Sequence, residues 1–534
     1  MKLRLHLLPI PFAITLIGIL LLAGCRSTQL DVEPAAPDRV QAAAGQPADS
    51  QPEAPPVAAP QGPLNVGVQD AIMLSLENNQ GLVVQRLDPE IRRTFEEQEK
   101  AEFDPVLSGE VSADRIKAQR LSPYSGSLSG STADQLTGDI SLQKTAPSGT
   151  TLGLEASSTL NRSSLYSDQL ISSRAGLTLS QALLRGASSD ANLAAVHQAQ
   201  IDTRISEYEL RGFIESLVAQ VEITYWDYAL AQRQIEIYEE SLKVAEQQLA
   251  QTRERIAIGQ LAETEQAAAD AEVALRKEDL INARAALATV HLRLLRLLNP
   301  PGAGWDREVA VRDHPAVPDA MLEPVDAHAA VALQMRPDVN EAYLGVHRED
   351  LELVKTKNGL LPKLDAFIML GGTGYADTFG GSIAARDGDG YDALAGLRLE
   401  YPLGNRSARA RHTRAICTRR QASEAVRNLE QLVEVDVRIA YIEVNRTREQ
   451  VTATAATRAL QEEKVRAETE KFKVGKSTSL LVANAQRDLV ASKIAEVQAV
   501  VNYLKAFVRL YQLEGSLLMR RGIAAPGQQP VERK

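Results

Sequence analysis

Asp387-Gly388-Asp389-Gly390-Tyr391-Asp392 spaces its carboxylates as a calcium-binding loop does. Such a loop needs a bidentate glutamate at its twelfth position, and Arg398 stands there, so the run reads as a solvated turn. Gly371 to Gly381, GGTGYADTFGG, is glycine-rich but lacks the Lys-Ser/Thr pair that grips nucleotide phosphates, and it reads as a loop between strands. The 7 histidines are scattered, with no HxxxH pair and no cysteine or carboxylate cluster at ligand spacing, so neither a zinc site nor any other cofactor is expected. No nucleophile, base and orienting acid suggest themselves, and the chain is not expected to be an enzyme. Cys417 lies in a helical pattern among Arg414, Arg419 and Arg420 and reads as a surface or packing cysteine.

Cys25 is different. Ahead of it stand Lys2 and Arg4, an apolar run from Leu7 to Leu22, then Ala23 and Gly24, the layout of a secretory signal over residues 1–24. Leu22-Ala23-Gly24-Cys25 looks like a bacterial lipobox, which implies lipidation of Cys25; Arg26 after it, rather than aspartate, implies the outer membrane. Residues 25–63, rich in Pro, Ala, Gln and Asp without apolar periodicity, read as an extended tether. The net charge of -10, with basic residues interspersed among acids, argues against nucleic acid as a partner.

Helices and strands must organise what remains. Only 4% of the 534 residues are aromatic, and long stretches are rich in Ala, Glu, Gln, Leu and Arg, a profile of extended helices and coiled coils. A helix is expected from about Gln69 to Glu102, strands from Pro105 to Leu184, and a proline-free helical tract from about Ser188 to Leu298 that Pro300-Pro301-Gly302 stops. Within it Ile214, Leu217, Val221, Thr224, Tyr228, Ala231, Ile235, Tyr238, Leu242, Ala245, Leu249, Thr252 and Ile256 alternate spacings of three and four, a sustained heptad seam. Gly259 interrupts this tract. A glycine costs a helix interior about 1 kcal/mol, so Gly259 is expected at a hairpin tip, about 105 Å along the helix.

The plan then recurs. With an offset of 216 residues, Val221, Tyr225, Gly259, Ala267, Ala269, Leu294 and Leu297 fall on Val437, Tyr441, Gly475, Ala483, Ala485, Leu510 and Leu513. Two internal repeats are expected, 64–300 and 325–515, joined by a connector at 301–324 and followed by a flexible tail at 516–534. Strands such as PVLSGEVSADR and YDALAGLRLEY alternate apolar and polar residues, fitting half-buried strands or barrel strands. Too few exist to close a pore alone, and a membrane tolerates no open sheet edge, so spanning demands several copies. The first half carries an additional hairpin turning at Pro147-Ser148-Gly149, which either enlarges an outer loop or adds strands.

VQDAIMLSLENNQGLVVQRLDPEI, EFDPVLSGEVSA, LSQALLRGASSDANLAAVHQAQ, Tyr225-Trp226-Asp227, RIAIGQLAETEQAAADAEV and KFKVGKSTSLLVANAQRDL, in this order, resemble the outer-membrane efflux family, the TolC-like exit ducts. The resemblance spans about Leu64 to Gly515. It implies a mainly α fold with a β-barrel portion: a homotrimer with a long coiled-coil α-barrel in the periplasm and one shared transmembrane β-barrel. Its partners would be outer-membrane lipid, a periplasmic adaptor and an inner-membrane pump of RND, ABC or MFS type, which supplies the energy. Ile258, Gly259, Gln260 and Leu261, with Val474, Gly475, Lys476 and Ser477, resemble the tips an adaptor grips. Where the family pattern has aspartates six and nine residues past the second glycine, Leu481 and Asn484 stand here, and Glu265 holds the sixth position of the first half. A ring of leucines blocks ions by dewetting, whereas a glutamate ring favours cations. A coiled-coil lipoprotein that only tethers the envelope is the alternative, but a spacer needs no amphipathic strands between its helices.

Overall fold

Asparagine and glycine punctuation cuts the helical tracts where backbone groups need partners. In the computed structural model, which describes residues 63–121, 128–163, 169–302, 304–317, 322–385 and 390–532, the helix expected from Gln69 is two helices. These are α1 (Val68–Asn78) and α2 (Gln80–Lys100), divided at Asn79, whose side chain accepts from the Leu82 amide at 3.2 Å and caps α2. Cys25, the leader and all but the last tether residue lie outside the described residues.

A three-residue strand β1 (Leu64–Val66) pairs in parallel with β6 (Val309–Val311) in the connector, bringing the start of the ordered chain beside the end of its first half. Between them run four strands, β2 (Val106–Leu121), β3 (Leu128–Thr145), β4 (Thr150–Ser163) and β5 (Leu170–Ala182). After these come the short α3 (Ser189–Asn192), then α4 (Ala194–Ala257) and α5 (Thr264–Leu298). The second half gives α6 (Val325–Met335), α7 (Pro337–Asn358), β7 (Lys363–Ala376), the short α8 (Phe379–Ala384), β8 (Tyr391–Glu400), α9 (Arg406–Lys473), α10 (Ser479–Glu514) and α11 (Leu517–Arg520). At 1.5 Å per residue, α4 with its 64 residues is about 96 Å long and α9 with its 68 about 102 Å. The seam expected in α4 is the buried one: Ile214, Leu217, Val221, Thr224, Tyr228, Ala231, Ala245 and Thr252 are buried.

Six strands form one sheet in the order β2-β3-β4-β5-β7-β8, every neighbouring pair antiparallel. Register puts Leu107, Leu142, Leu154, Leu177, Leu370 and Ala393 on one row of one face, and the next row of the opposite face carries Ser108, Ser141, Glu155, Gly176, Gly371 and Asp392. The apolar face is largely uncovered: Leu107, Val111, Ile140, Leu154, Ile368 and Leu397 are exposed. On the polar face Arg174 donates to both carboxylate oxygens of Asp392, at 2.5 and 2.7 Å.

The hairpin at Pro147-Ser148-Gly149 adds strands. Its turn sits where β5 hands over to the helices: Asn192 Nδ2 donates to the Pro147 and Gly186 carbonyls at 2.8 and 2.7 Å. Gly149 has φ +76, and a Cβ there would lie 2.1 Å from the Gly186 oxygen, so only glycine fits. The glycine-rich run expected as a loop lies instead in β7 up to Ala376 and in α8 from Phe379, because backbone pairing to β5 and β8 outweighs glycine's weak strand preference.

Residues 516–532, expected as a flexible tail, are packed. Leu517, Leu518 and Val531 are buried, Tyr208 donates its hydroxyl to the Gln529 carbonyl, and Arg211 donates to the carbonyls of Gly515 and Gly527, both at 2.8 Å. Arg521 donates twice to the fully buried Glu222 at 2.6 Å. These partners lie about three hundred positions upstream, beyond the reach of any local pattern.

Candidate functional site: the paired helix tips

Both tips are built by the same backbone device. α4 ends at Ala257, and the Gln260 amide returns to the Arg255 carbonyl at 2.8 Å while the Gly259 amide reaches Ile256 at 2.9 Å. α9 ends at Lys473, and Lys476 returns to Lys471 at 2.8 Å while Gly475 reaches Phe472 at 3.1 Å. This paired closure satisfies the last carbonyls of a helix and requires a left-handed residue. Gly259 has φ +75 and Gly475 φ +74, and a Cβ at either would meet nothing within 4 Å. The glycines therefore serve the turn, not a close approach within this chain.

The turns push apolar side chains outward. Ile258 is 67% exposed and Val474 68%, so each tip offers one uncovered aliphatic group at equivalent positions. Gln260 and Lys476 are exposed beside them, while Leu261 and Ser477 are half-buried. Ser477 donates to Glu468 at 2.8 Å, and with Lys471, whose hydrogen bond is the stronger influence, it holds the Glu468 carboxyl below the usual carboxylate range.

The gate candidates do not form one cluster. Glu265, in the first turn of α5, accepts a hydrogen bond from Ser479 Oγ in the first turn of α10, so it ties one tip to the other. Leu481 is 50% exposed and Asn484 is also exposed, both on the uncovered side of α10. Arg255 crosses to the second tip as well, its guanidinium 5.2 Å from the Phe472 ring centre.

One cluster near the tips escaped the sequence reading. Glu272 and Arg276 in α5 are buried and paired at 2.6 Å, and Arg487 of α10 donates to Glu272 at 2.7 and 2.9 Å. The only local signal is the i,i+4 acid–base spacing of Glu272 and Arg276, which any solvated helix face can carry. Among the described residues there is no group of side chains able to hold a metal ion, and no helix long and apolar enough to cross a membrane. Cys417 is free and exposed, as expected.

A family model described as outer membrane efflux protein matches residues 146–300 and 329–516. Among solved structures, the outer-membrane channel OprN is similar with a TM-score of 0.64 and 18% identity, over 84% of this chain and 89% of that one. The CmeC outer membrane channel of Campylobacter jejuni gives 0.63 and 14%, over 88% and 87%. The open state of the MtrE outer membrane channel of Neisseria gonorrhoeae gives 0.55 and 18%, over 84% and 89%. At such identities the likeness is one of fold: mainly helical, with a strand portion. No curated protein matches the sequence closely enough to count as a relative.

Proposed function

Because the chain belongs to the outer membrane efflux protein family, we infer that it is the outer-membrane channel of a tripartite efflux or secretion system, a conduit without catalysis. The observation that carries this reading is the continuity of an amphipathic sheet, apolar on one face and polar on the other, with two helical hairpins that end in exposed tips. Strands of 10 to 18 residues are long enough to cross hydrocarbon at about 45°, which takes about 9–11 residues. The polar face then borders water.

In this reading three copies share one barrel, and their hairpins line one periplasmic tube. The two halves, 64–300 and 325–515, act as repeats around the connector at 301–324, so each copy contributes two tips. Lipid on Cys25 anchors the start of the chain in the same membrane. Ile258, Gly259, Gln260 and Leu261, with Val474, Gly475, Lys476 and Ser477, form the surface an adaptor grips, because an aliphatic group held in water at each tip is covered only by a partner. An inner-membrane pump supplies energy and cargo through that adaptor. Near the mouth, Leu481 narrows the path with apolar side chains, with Asn484 one turn further along the exposed face; Glu265, engaged by Ser479, acts as a tie between tips more than as a free charge.

Electron microscopy of the detergent-purified protein tests the reading. A hollow threefold particle with a detergent belt at one end is the expected result. Solid rods or single hairpins without a belt would remove the channel and leave an envelope tether.

A further inference from the structure

The sheet stops at both sides. Among the described residues, the outer edges of β2 and β8 pair with nothing, and the leucines on these two strands are the barest of the apolar face: Leu107, Leu397 and Leu399 are 67%, 69% and 66% exposed, against 37% for Leu177 in the interior. Hydrocarbon does not tolerate such edges. Nor can six strands close on a lumen, since about eight already give an interior filled by side chains. With six strands, β2 leaves the helical side and β8 returns to it, so β8 of one copy can meet β2 of the next antiparallel, continuing the pattern inside the sheet. The family match begins at residue 146, which leaves the whole of β2 and β3 ahead of it.

Register can be derived as well. A line of directly paired residues runs from Val106 through Gln143, Gly153, Thr178 and Met369 to Leu394. Keeping apolar with apolar and polar with polar across the seam puts Leu394 opposite an even-numbered residue of the next copy's β2, and Ser112, Asp114 and Ile116 are the ones nearest the tilts that barrels adopt. With a rise of about 3.3 Å and a strand spacing of about 4.8 Å, these give strand tilts of about 35°, 43° and 49° in a threefold barrel, and barrels hold to about 35–45°. The Ile116 register is thereby excluded. The Ser112 register sets Asp114 directly against Asp392, two like charges. The Asp114 register instead sets Glu110 against Arg398 on the polar face, and Val111 against Leu397 on the apolar face.

We propose that three copies of the six-stranded sheet close an eighteen-stranded barrel through a β8–β2 seam, with Arg398 of one copy paired to Glu110 of the next. The proposal rests on the trimeric reading above and adds its strand number, seam and register. The barrel is about 37 Å across between backbones, a porin-like width that leaves an aqueous lumen. The occupant of each open edge is a second copy of this chain.

Disulfide trapping tests the seam. In a Cys417→Ser background, Glu110→Cys with Arg398→Cys is expected to give a ladder ending in a covalent trimer on a non-reducing gel, because directly opposed pairs bring Cβ atoms to about 5 Å. Ser108→Cys with Arg398→Cys, the rival register, is expected to give at least tenfold less. A trimer by native mass in which neither pair links, or only the rival does, overturns the seam as drawn. Imaging of the unmutated protein counts strands without any substitution: eighteen are expected, and twelve, with β2 and β3 outside the barrel, overturns the proposal while leaving the channel intact. A monomer would sink the trimeric reading and the seam with it.

Discussion

The two ends of α4 differ sharply. All the residues it buries except Ile237, Ala245 and Thr252 lie before residue 232, where α1, α2, α7 and α10 surround it and Tyr225 donates its hydroxyl to Asp313 and the Val66 carbonyl at 3.2 Å. Beyond that point α4 packs chiefly along α5, and its outer faces are wet. The base carries stability; the tips carry exposed side chains held by turn geometry. One helix therefore serves two purposes, because burial is decided by what surrounds each turn and not by the seam, which runs through both ends unchanged.

Removing Arg521 tests the base most severely. Arg521→Ala leaves the Glu222 carboxylate buried and unpaired, and a loss of about 3–5 kcal/mol is expected. Thermal unfolding followed by circular dichroism in detergent measures it; a midpoint shift under 2 °C would mean that the packed C-terminal stretch contributes little. At the tips the largest effect comes from the turns. Gly259→Ala and Gly475→Ala force a left-handed residue to carry a Cβ, costing about 1–2 kcal/mol each with no added clash. Limited proteolysis at the tips should accelerate while the base stays protected, and equal acceleration in both regions would erase the contrast.

A pH experiment sharpens the comparison further. Burial first, then the neighbouring Glu209 and Asp338 carboxylates, push Glu341 at the base from 4.5 to about 7. The folded state binds this proton more tightly than the unfolded one, so the contribution is complete below pH 4.5 and lost as pH rises through about 7. Glu341→Gln should therefore raise the unfolding midpoint at pH 8 and leave it unchanged at pH 4. An equal shift at both values would show that burial at the base does not govern this group. The smallest stability effect is expected for Ile258→Ser with Val474→Ser, within about 0.5 kcal/mol, since both side chains are exposed. Export by this double variant should nevertheless fall severely; unchanged export would remove the docking role of the tips.

Periodicity and turn chemistry were legible because each is local. The alternation of three and four along α4, the single glycine that closes each hairpin, and the alternating faces of the strands follow from neighbours a few residues apart. Residue pairs joined only by folding were not. Glu222 with Arg521, Glu272 with Arg487, and the Pro147 turn seated on Asn192 join residues between 45 and 299 positions apart, and no repeat spacing announces them. The same holds for the glycine-rich run in β7, whose local preference for a loop yields to pairing on both sides. Sequence alone settled the long helices, the faces of the strands and the glycines where the helical hairpins turn, since those depend on backbone geometry and the water-avoidance of adjacent side chains. Tertiary structure alone decided which strands share the sheet, which charges are buried together and where the C-terminal stretch docks, since those depend on distant groups that exclude water from one another only once the chain has folded.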